Sequence, residues 1–325
     1  MKTPKITKLP SGAYHARVQI GGRRVSVTAD SPDVVERKIL ALKLGNGNIG
    51  RSVTLYDAIT DYIESKRNVL SPSTIRGYES IQKNRFQAIM FRKLSDKTNW
   101  QRVVNDEARI CSAKTLKNAW GFVRSVLKEN GFDADVRLPS VMPKDRPFLQ
   151  PEEIKKFITA IRGDHFEILY LLCLHGLRRS EAFAIEKKDV TDAIRVNKAR
   201  VQGPGKTATR NATKNASSTR TVPIFVDRLK ELVADAPEGR LCRHDPHWVN
   251  KHLAKVCESN GLPVVSLHEL RHSFASLCYH LQIPELQCME LGGWSDLSTM
   301  RKIYTHVADA DRKAAADALK AFAVE

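Results

Sequence analysis

At 325 residues the chain is too long for one small core, and its 42% hydrophobic content is that of an ordinary folded protein. Lys and Arg outnumber Asp and Glu 53 to 36, a formal charge of +17. An excess of that size points to a polyanion, above all nucleic acid, because each neutralised phosphate releases bound counterions. No run of 18 apolar residues occurs, and six cysteines (111, 173, 242, 257, 278 and 288) lie scattered without a C-x-x-C pair. No membrane span, disulfide framework or thiol-ligated zinc is therefore expected, and the expected location is a reducing cytoplasm.

The first fifty residues are rich in Lys and Arg. GAYHARVQIGGRRVSVTA alternates apolar and polar residues about Gly21-Gly22, the pattern of a β-hairpin. A helix is expected from Pro32 to about Leu44, and GNGNIG reads as a linker, so residues 1–50 form a small basic ββα module. From Thr54 the period turns helical: Leu55, Ile59, Tyr62 and Ile63 share one face, with Thr54 as N-cap. SPST (71–74) opens a second helix carrying Ile75, Tyr78 and Ile81. Another runs from Ser112 through Leu116, Trp120, Val123 and Leu127 to Gly131, just past its end. Residues 51–145 are thus a helical bundle closing in a linker. Its prolines at 139 and 143, with Pro147 and Pro151 beyond, each disfavour helix in the preceding residue.

Residues 146–325 make the third piece. Pro151-Glu152-Glu153 is a helix start with acids in the first turn. Beyond it the chain is mostly helical in pattern, interrupted by IRVNKARVQ (194–202) and STRTVPIF (218–225), two alternating runs expected to be strands of one small sheet. The expected fold is multidomain and mainly α: a ββα module, a helical bundle, and a mostly α domain with a small antiparallel β-sheet.

HELRH (268–272) fits H-E-x-x-H, which would place two zinc ligands one turn apart with a glutamate base between them and Glu290 as a conceivable third ligand. Arg271 sets a permanent positive charge inside that cation site, so a zinc protease is disfavoured and no metal is expected. GPGKT (203–207) suggests a phosphate-binding loop. However, Arg200 stands where the pattern needs glycine, and the segment leads into a strand rather than a helix, so a hairpin turn is expected.

HGLRRSE (175–181), HELRH (268–272) and LGGWSDLSTMRKIYTH (291–306) occur in that order. Together they resemble the signature of the tyrosine recombinase, or phage integrase, family. The first is similar to G-L-R-x-S-E, which implies a catalytic Arg178 with Glu181 in support. The second is similar to H-x-L-R, which implies His268 and Arg271, with His272 supporting them. The third resembles L-G-H…Y, with Trp294 where many members have histidine and Tyr304 as the nucleophile. ATKNASSTRTVPI resembles the hairpin that carries the family's lysine, which falls on Lys214, with Lys206 and Arg210 close by in sequence. Trp294 and Tyr304 stand ten apart where nine is common, an interval similar to the conjugative-transposon branch. The three pieces resemble the arm-binding (1–50), core-binding (51–145) and catalytic (146–325) domains of three-domain integrases.

The resemblance implies that double-stranded DNA, at core and arm-type sites, is the substrate. It further implies a homotetramer on DNA, DNA-bending accessory proteins, no cofactor, no membrane, and a nucleoid-associated place in a bacterial or phage-infected cell. The chemistry suits the residue types. Guanidinium groups bind phosphate bidentately and stay charged, so two of them with an indole N–H can stabilise the developing charge without a metal. A lysine can protonate the leaving 5′ oxygen, a histidine can move the tyrosine proton, and the tyrosine can hold a covalent 3′-phosphotyrosine. A topoisomerase of type IB would use similar chemistry to relax DNA; the basic N-terminal module favours an integrase.

Overall fold

A computed structural model describes residues 5–20, 23–43, 53–95, 97–142, 147–203, 205, 207–210, 219–298 and 300–301. The chain divides into two compact units, Met1–Pro143 and Lys144–Glu325.

The first unit opens with an antiparallel sheet of β1 (Thr7–Lys8), β2 (Tyr14–Ile20) and β3 (Arg23–Ala29), in that order. Ile20 pairs with Arg23, which leaves two residues for the hairpin turn, as the sequence pattern requires. The period of two turns Ala16, Val18 and Val27 to one face, and α1 (Pro32–Lys43) covers that face with Val35 and Ile39. Two-residue β1 is too short to leave an alternation in the sequence.

The same unit continues through α2 (Leu55–Lys66), α3 (Pro72–Asn84), α4 (Gln87–Met90), α5 (Trp100–Ala108) and α6 (Ala113–Glu129). The expected starts are present: Thr54 and Asp57 form a reciprocal cap on α2, and the Ser71 and Ser112 side chains cap α3 and α6. Gly131 takes φ +83° beyond α6, and the Phe132 N–H returns to the Leu127 carbonyl at 3.0 Å. Leu55, Ile59, Ile75, Leu116, Trp120 and Val123 fill the core between these helices. Helix α5 was not expected. Its buried face is Trp100, Val104 and Glu107, so one of three core positions is charged. The Glu107 carboxylate accepts the Phe86 N–H at 2.9 Å and pairs with Arg85 at 3.2 Å.

In the second unit α7 (Pro151–Ala160) and α8 (Glu167–Leu174) precede the short α9 (Arg179–Ala182). Four strands follow: β4 (Ala193–Val196), β5 (Ala199–Gln202), β6 (Thr207–Arg210) and β7 (Arg220–Pro223). Helices α10 (Arg228–Asp235), α11 (Pro246–Ser259), α12 (Leu267–His280) and α13 (Glu285–Gly292) complete the described elements. From Leu169 to Leu174 helix α8 is buried on every side, so it forms the centre of this core. The Ser273 hydroxyl of α12 accepts the Leu149 N–H at 2.9 Å, which ties α12 to the segment leading into α7.

The run 194–202, expected to be one strand, is two. The chain turns at Asn197-Lys198, where the buried Lys198 ammonium meets Asp189 at 2.7 Å and Glu186 at 2.9 Å. β4 pairs with β7, joining the two alternating runs as expected, but β5 pairs with β6 in a separate two-stranded sheet. Gln202 opposes Thr207 across the GPGKT segment, so that segment joins two strands and not a strand to a helix.

Candidate active site

Helix α8 ends at His175, and Gly176 turns the chain at φ +84°. A side chain there would meet the Phe274 ring at 2.8 Å, so both the backbone angle and the space demand glycine. The turn delivers Arg178 to the start of α9. There its backbone N–H and its guanidinium both bond the Glu181 carboxylate, at 2.8 and 2.6 Å. Glu181 is buried, and its second partner is Arg220 of β7, at 2.9 Å. Burial raises the Glu181 pKa, but the Arg220 hydrogen bond and the charges of Arg220 and Arg178 outweigh it and hold the carboxyl below its ordinary value.

Arg271 lies on the inner face of α12, beside Leu267, Leu270 and Phe274, and is 2% exposed. One nitrogen donates to the Gly176 carbonyl at 2.6 Å and to the Gly292 carbonyl at 2.5 Å. Its guanidinium carbon stands 4.1 Å from the Trp294 ring centre, a cation–π contact, and Trp294 in turn stacks on Phe274. Burial, then the nearby Arg178 and Arg220, pull the Arg271 pKa down to about 9, with Glu181 opposing them. At neutral pH the group is charged.

The C-terminus of α13 explains why three arginines gather here. Gly293 takes φ +66°, and the N–H groups of Gly293 and Trp294 close back on the carbonyls of Glu290 and Met289. The next three carbonyls point away from the helix: Leu291 accepts from Arg220 at 2.7 Å, Gly292 from Arg271, and Gly293 from Arg178. The negative end of the helix dipole thus anchors three guanidinium groups side by side. Neither glycine can be replaced freely. A Cβ on Gly292 would overlap the Trp294 ring, and one on Gly293 would sit 2.7 Å from Arg220. Among the described residues Glu181 is the one carboxylate paired with these three cations.

Of the residues expected from the sequence, Arg178, Glu181, Arg271 and Trp294 come together in this cluster. His268 is exposed one turn before Arg271 on α12, with its ring edge-on to His272 at 4.6 Å between centres. Glu269, the would-be base of the zinc pattern, instead accepts the Ser266 N–H at 2.7 Å and caps its own helix. Lys214, Lys206 and Tyr304 lie outside the described residues. Trp294 was expected to offer its indole N–H to the reacting phosphate; what the structure shows is its ring packed against Arg271. Arg220 was missed by the sequence reading, although its place at the start of an alternating run with an arginine facing inward was a usable signal. His175 is also buried, donating from Nδ1 to the Leu171 carbonyl at 2.7 Å and accepting the Phe225 N–H at 3.2 Å. Burial pushes its pKa down to about 4, so it is a neutral strut between α8 and the segment after β7.

A mainly helical protein with three arginines gathered on the end of one helix is the class these features define. The chain belongs to the phage integrase family, whose sequence model matches residues 147–311. It is 26% identical over 219 residues to the ICEBs1 integrase of Bacillus subtilis, covering 60% of this chain and 59% of that relative. It is 25% identical over 286 residues to the tyrosine recombinase XerH of Campylobacter jejuni, covering 81% of this chain and 70% of that one. The chain thus spans about three fifths of the length of the first relative. Among solved structures, the Tn1549 transposon integrase bound to transposon right end DNA superposes with a TM-score of 0.62 at 15% identity, over 81% of this chain and 100% of that one. A lambda integrase dimer on a core site gives 0.59 at 15%, over 93% and 94%. The mainly helical fold with small antiparallel sheets is that of these integrases.

Proposed function

We propose that this protein is a site-specific DNA recombinase of the tyrosine type. It breaks and rejoins duplex DNA through a covalent 3′-phosphotyrosine and so integrates or excises a mobile element. The observation that carries this reading is the convergence of Arg178, Arg220 and Arg271 on the last carbonyls of α13 with Glu181 as their shared carboxylate. Arg178, one third exposed, and Arg271 beneath it hold the two non-bridging oxygens. Trp294 keeps Arg271 flat and in place, and Glu181 and His272 support the site. His268 takes the proton of Tyr304, whose oxygen bonds to phosphorus as the bond to the 5′ oxygen breaks. Lys214 supplies the proton that the departing 5′ oxygen needs. The phosphotyrosine keeps the bond energy, so the 5′-hydroxyl of another strand reverses the step without a nucleotide cofactor.

Residues 1–50 are assigned to arm-type DNA, 51–145 to core DNA and 146–325 to catalysis. The working assembly is a homotetramer on DNA, aided by DNA-bending proteins, in the cytoplasm. Support comes from the solved lambda integrase tetramer on a Holliday junction, and from the finding that among the described residues no helix is long and apolar enough to cross a membrane. The test is a nicked suicide substrate. The wild type should trap a covalent adduct in the presence of EDTA, and Tyr304→Phe should bind the same duplex without forming one. An adduct with Tyr304→Phe would overturn the nucleophile, and a requirement for added zinc would revive the H-E-x-x-H alternative.

A further inference from the structure

A second basic site lies in the same unit, lined by side chains the cleavage chemistry does not use. Arg179 of α9, Arg200 of β5, and Arg243 and His244 from the turn before α11 line a cleft of about 250 Å³. The floor is Arg200, whose Nη1 is buried and has no hydrogen-bond partner among the described residues. Arg179 and Arg243 are exposed at the rim, and none of the three arginines has an ion-pair partner among the described residues. One carboxylate borders the cleft, that of Asp245, but it faces its own helix and accepts the His247 N–H at 2.8 Å. His244 is held from outside by the His165 ring, with 3.0 Å between the two Nε2 atoms.

A buried guanidinium nitrogen without an acceptor is costly, and the three arginines about this cavity outnumber the one carboxylate, Asp245, that borders it. Such an arrangement is stabilised when an oxyanion enters, because the planar fork of arginine matches phosphate oxygens and the partly dry floor strengthens the attraction. The cleft is too small for a folded domain and suits a phosphate group. Arg179 follows directly on Arg178, so an anion here sits close to the cluster around Glu181 while touching none of its guanidinium groups.

We propose that this cleft seats a phosphodiester phosphate of the bound duplex, distinct from the one being cut, and so fixes the register of the DNA over the arginine cluster. This rests on the DNA-recombinase reading above. Phosphate chemistry could also come from a free anion, and the experiment separates the two sources. Core duplexes carrying one neutral methylphosphonate at each successive position are titrated against the wild type and Arg200→Gln by fluorescence anisotropy, at several salt concentrations. One linkage, not the scissile one, should lower wild-type affinity about tenfold and leave the affinity of Arg200→Gln unchanged. The salt slope of the variant should be shallower by about 0.9, the share of one phosphate. Arg200→Gln should also unfold at the same temperature as the wild type or higher, because an unpartnered buried donor is removed, which separates lost contact from lost fold. If every linkage affects the two proteins equally, the proposal fails while the recombinase reading stands. If the wild type binds no duplex, that reading fails. In that case inorganic phosphate should still raise the unfolding temperature of the wild type and not of Arg200→Gln if the cleft serves a free anion, and a cleft that responds to neither probe is no anion site.

Discussion

Replacing Glu181 by glutamine should destabilise the free protein and disable the site together. The amide keeps the shape of the carboxylate but loses its charge, and its NH₂ would face a guanidinium donor where an oxygen now accepts. Two partners are affected. Arg220 is 6% exposed and its pair with Glu181 is almost fully buried, so breaking it carries the cost of an uncompensated buried cation, about 3–5 kcal/mol. The pair with Arg178 is one third exposed on the arginine side and contributes much less after solvent screening. A loss of roughly 3 kcal/mol in urea denaturation at neutral pH is therefore expected. Cleavage should fall by about a hundredfold or more, because Arg178 loses the contact that aims it.

The pH dependence has a definite sign. The folded Glu181 carboxyl is held below its ordinary value, so its stabilisation is present above about pH 4.5 and is lost as pH falls through the folded pKa. The variant should lose less stability over that acid window than the wild type. A double-mutant cycle with Arg220→Met tests the origin, since the second change removes the stranded cation, and a coupling of about 1–3 kcal/mol is expected. A Glu181→Gln protein within about 1 kcal/mol of wild type, with no coupling to Arg220, would refute the shared-carboxylate account.

Gly292→Ala places a methyl on the Trp294 ring, so it should cost about 1–3 kcal/mol, shift the tryptophan emission and slow cleavage while leaving core-duplex affinity nearly intact. Normal cleavage by that variant would show that Trp294 need not hold Arg271. His175 has a folded pKa near 4 against an ordinary 6.5, so wild-type stability should decline as pH falls from 6.5 towards 4, by a total on the order of 3 kcal/mol. His175→Gln should flatten that decline, and identical slopes would remove histidine from the account. Lys214→Ala should be rescued by a substrate with a 5′-bridging sulfur, which leaves without a proton; rescue of Lys206→Ala instead would move the general acid there.

Local signals carried much of the fold. Thr54, Ser71 and Ser112 each close a cap within three residues, and Gly131 ends α6 by its own backbone angle. The hidden features depended on partners distant in sequence. Glu107 counts as polar in any periodicity, yet it is buried because the Phe86 N–H and Arg85 wait for it 21 and 22 residues away. The turn between β4 and β5 is set by Lys198 reaching Glu186 and Asp189, which no alternation could reveal. At the site, Arg178, Glu181 and Arg271 were legible because their motifs are short and ordered. Arg220 was not, because its role lies in carbonyls 71 and 44 residues away.

The arginine cluster also shows why such a site need not be stable for its own sake. Like charges are brought together and partly dried, and burial with the neighbouring Arg178 and Arg220 pulls the Arg271 pKa down. The carbonyls of Gly176, Leu291, Gly292 and Gly293 satisfy hydrogen-bond geometry, but as neutral dipoles they carry no net charge to set against the guanidiniums. On the proposed reading, a phosphate reacting through a more highly charged pentavalent state would be stabilised by these cations most at the transition state, when the added charge is greatest. The groups that hold the guanidiniums in place are backbone carbonyls at two tight glycine turns, so little reorganisation is needed as the charge builds. The same glycines that leave room for Trp294 and Phe274 thereby set the positions of the three guanidinium groups.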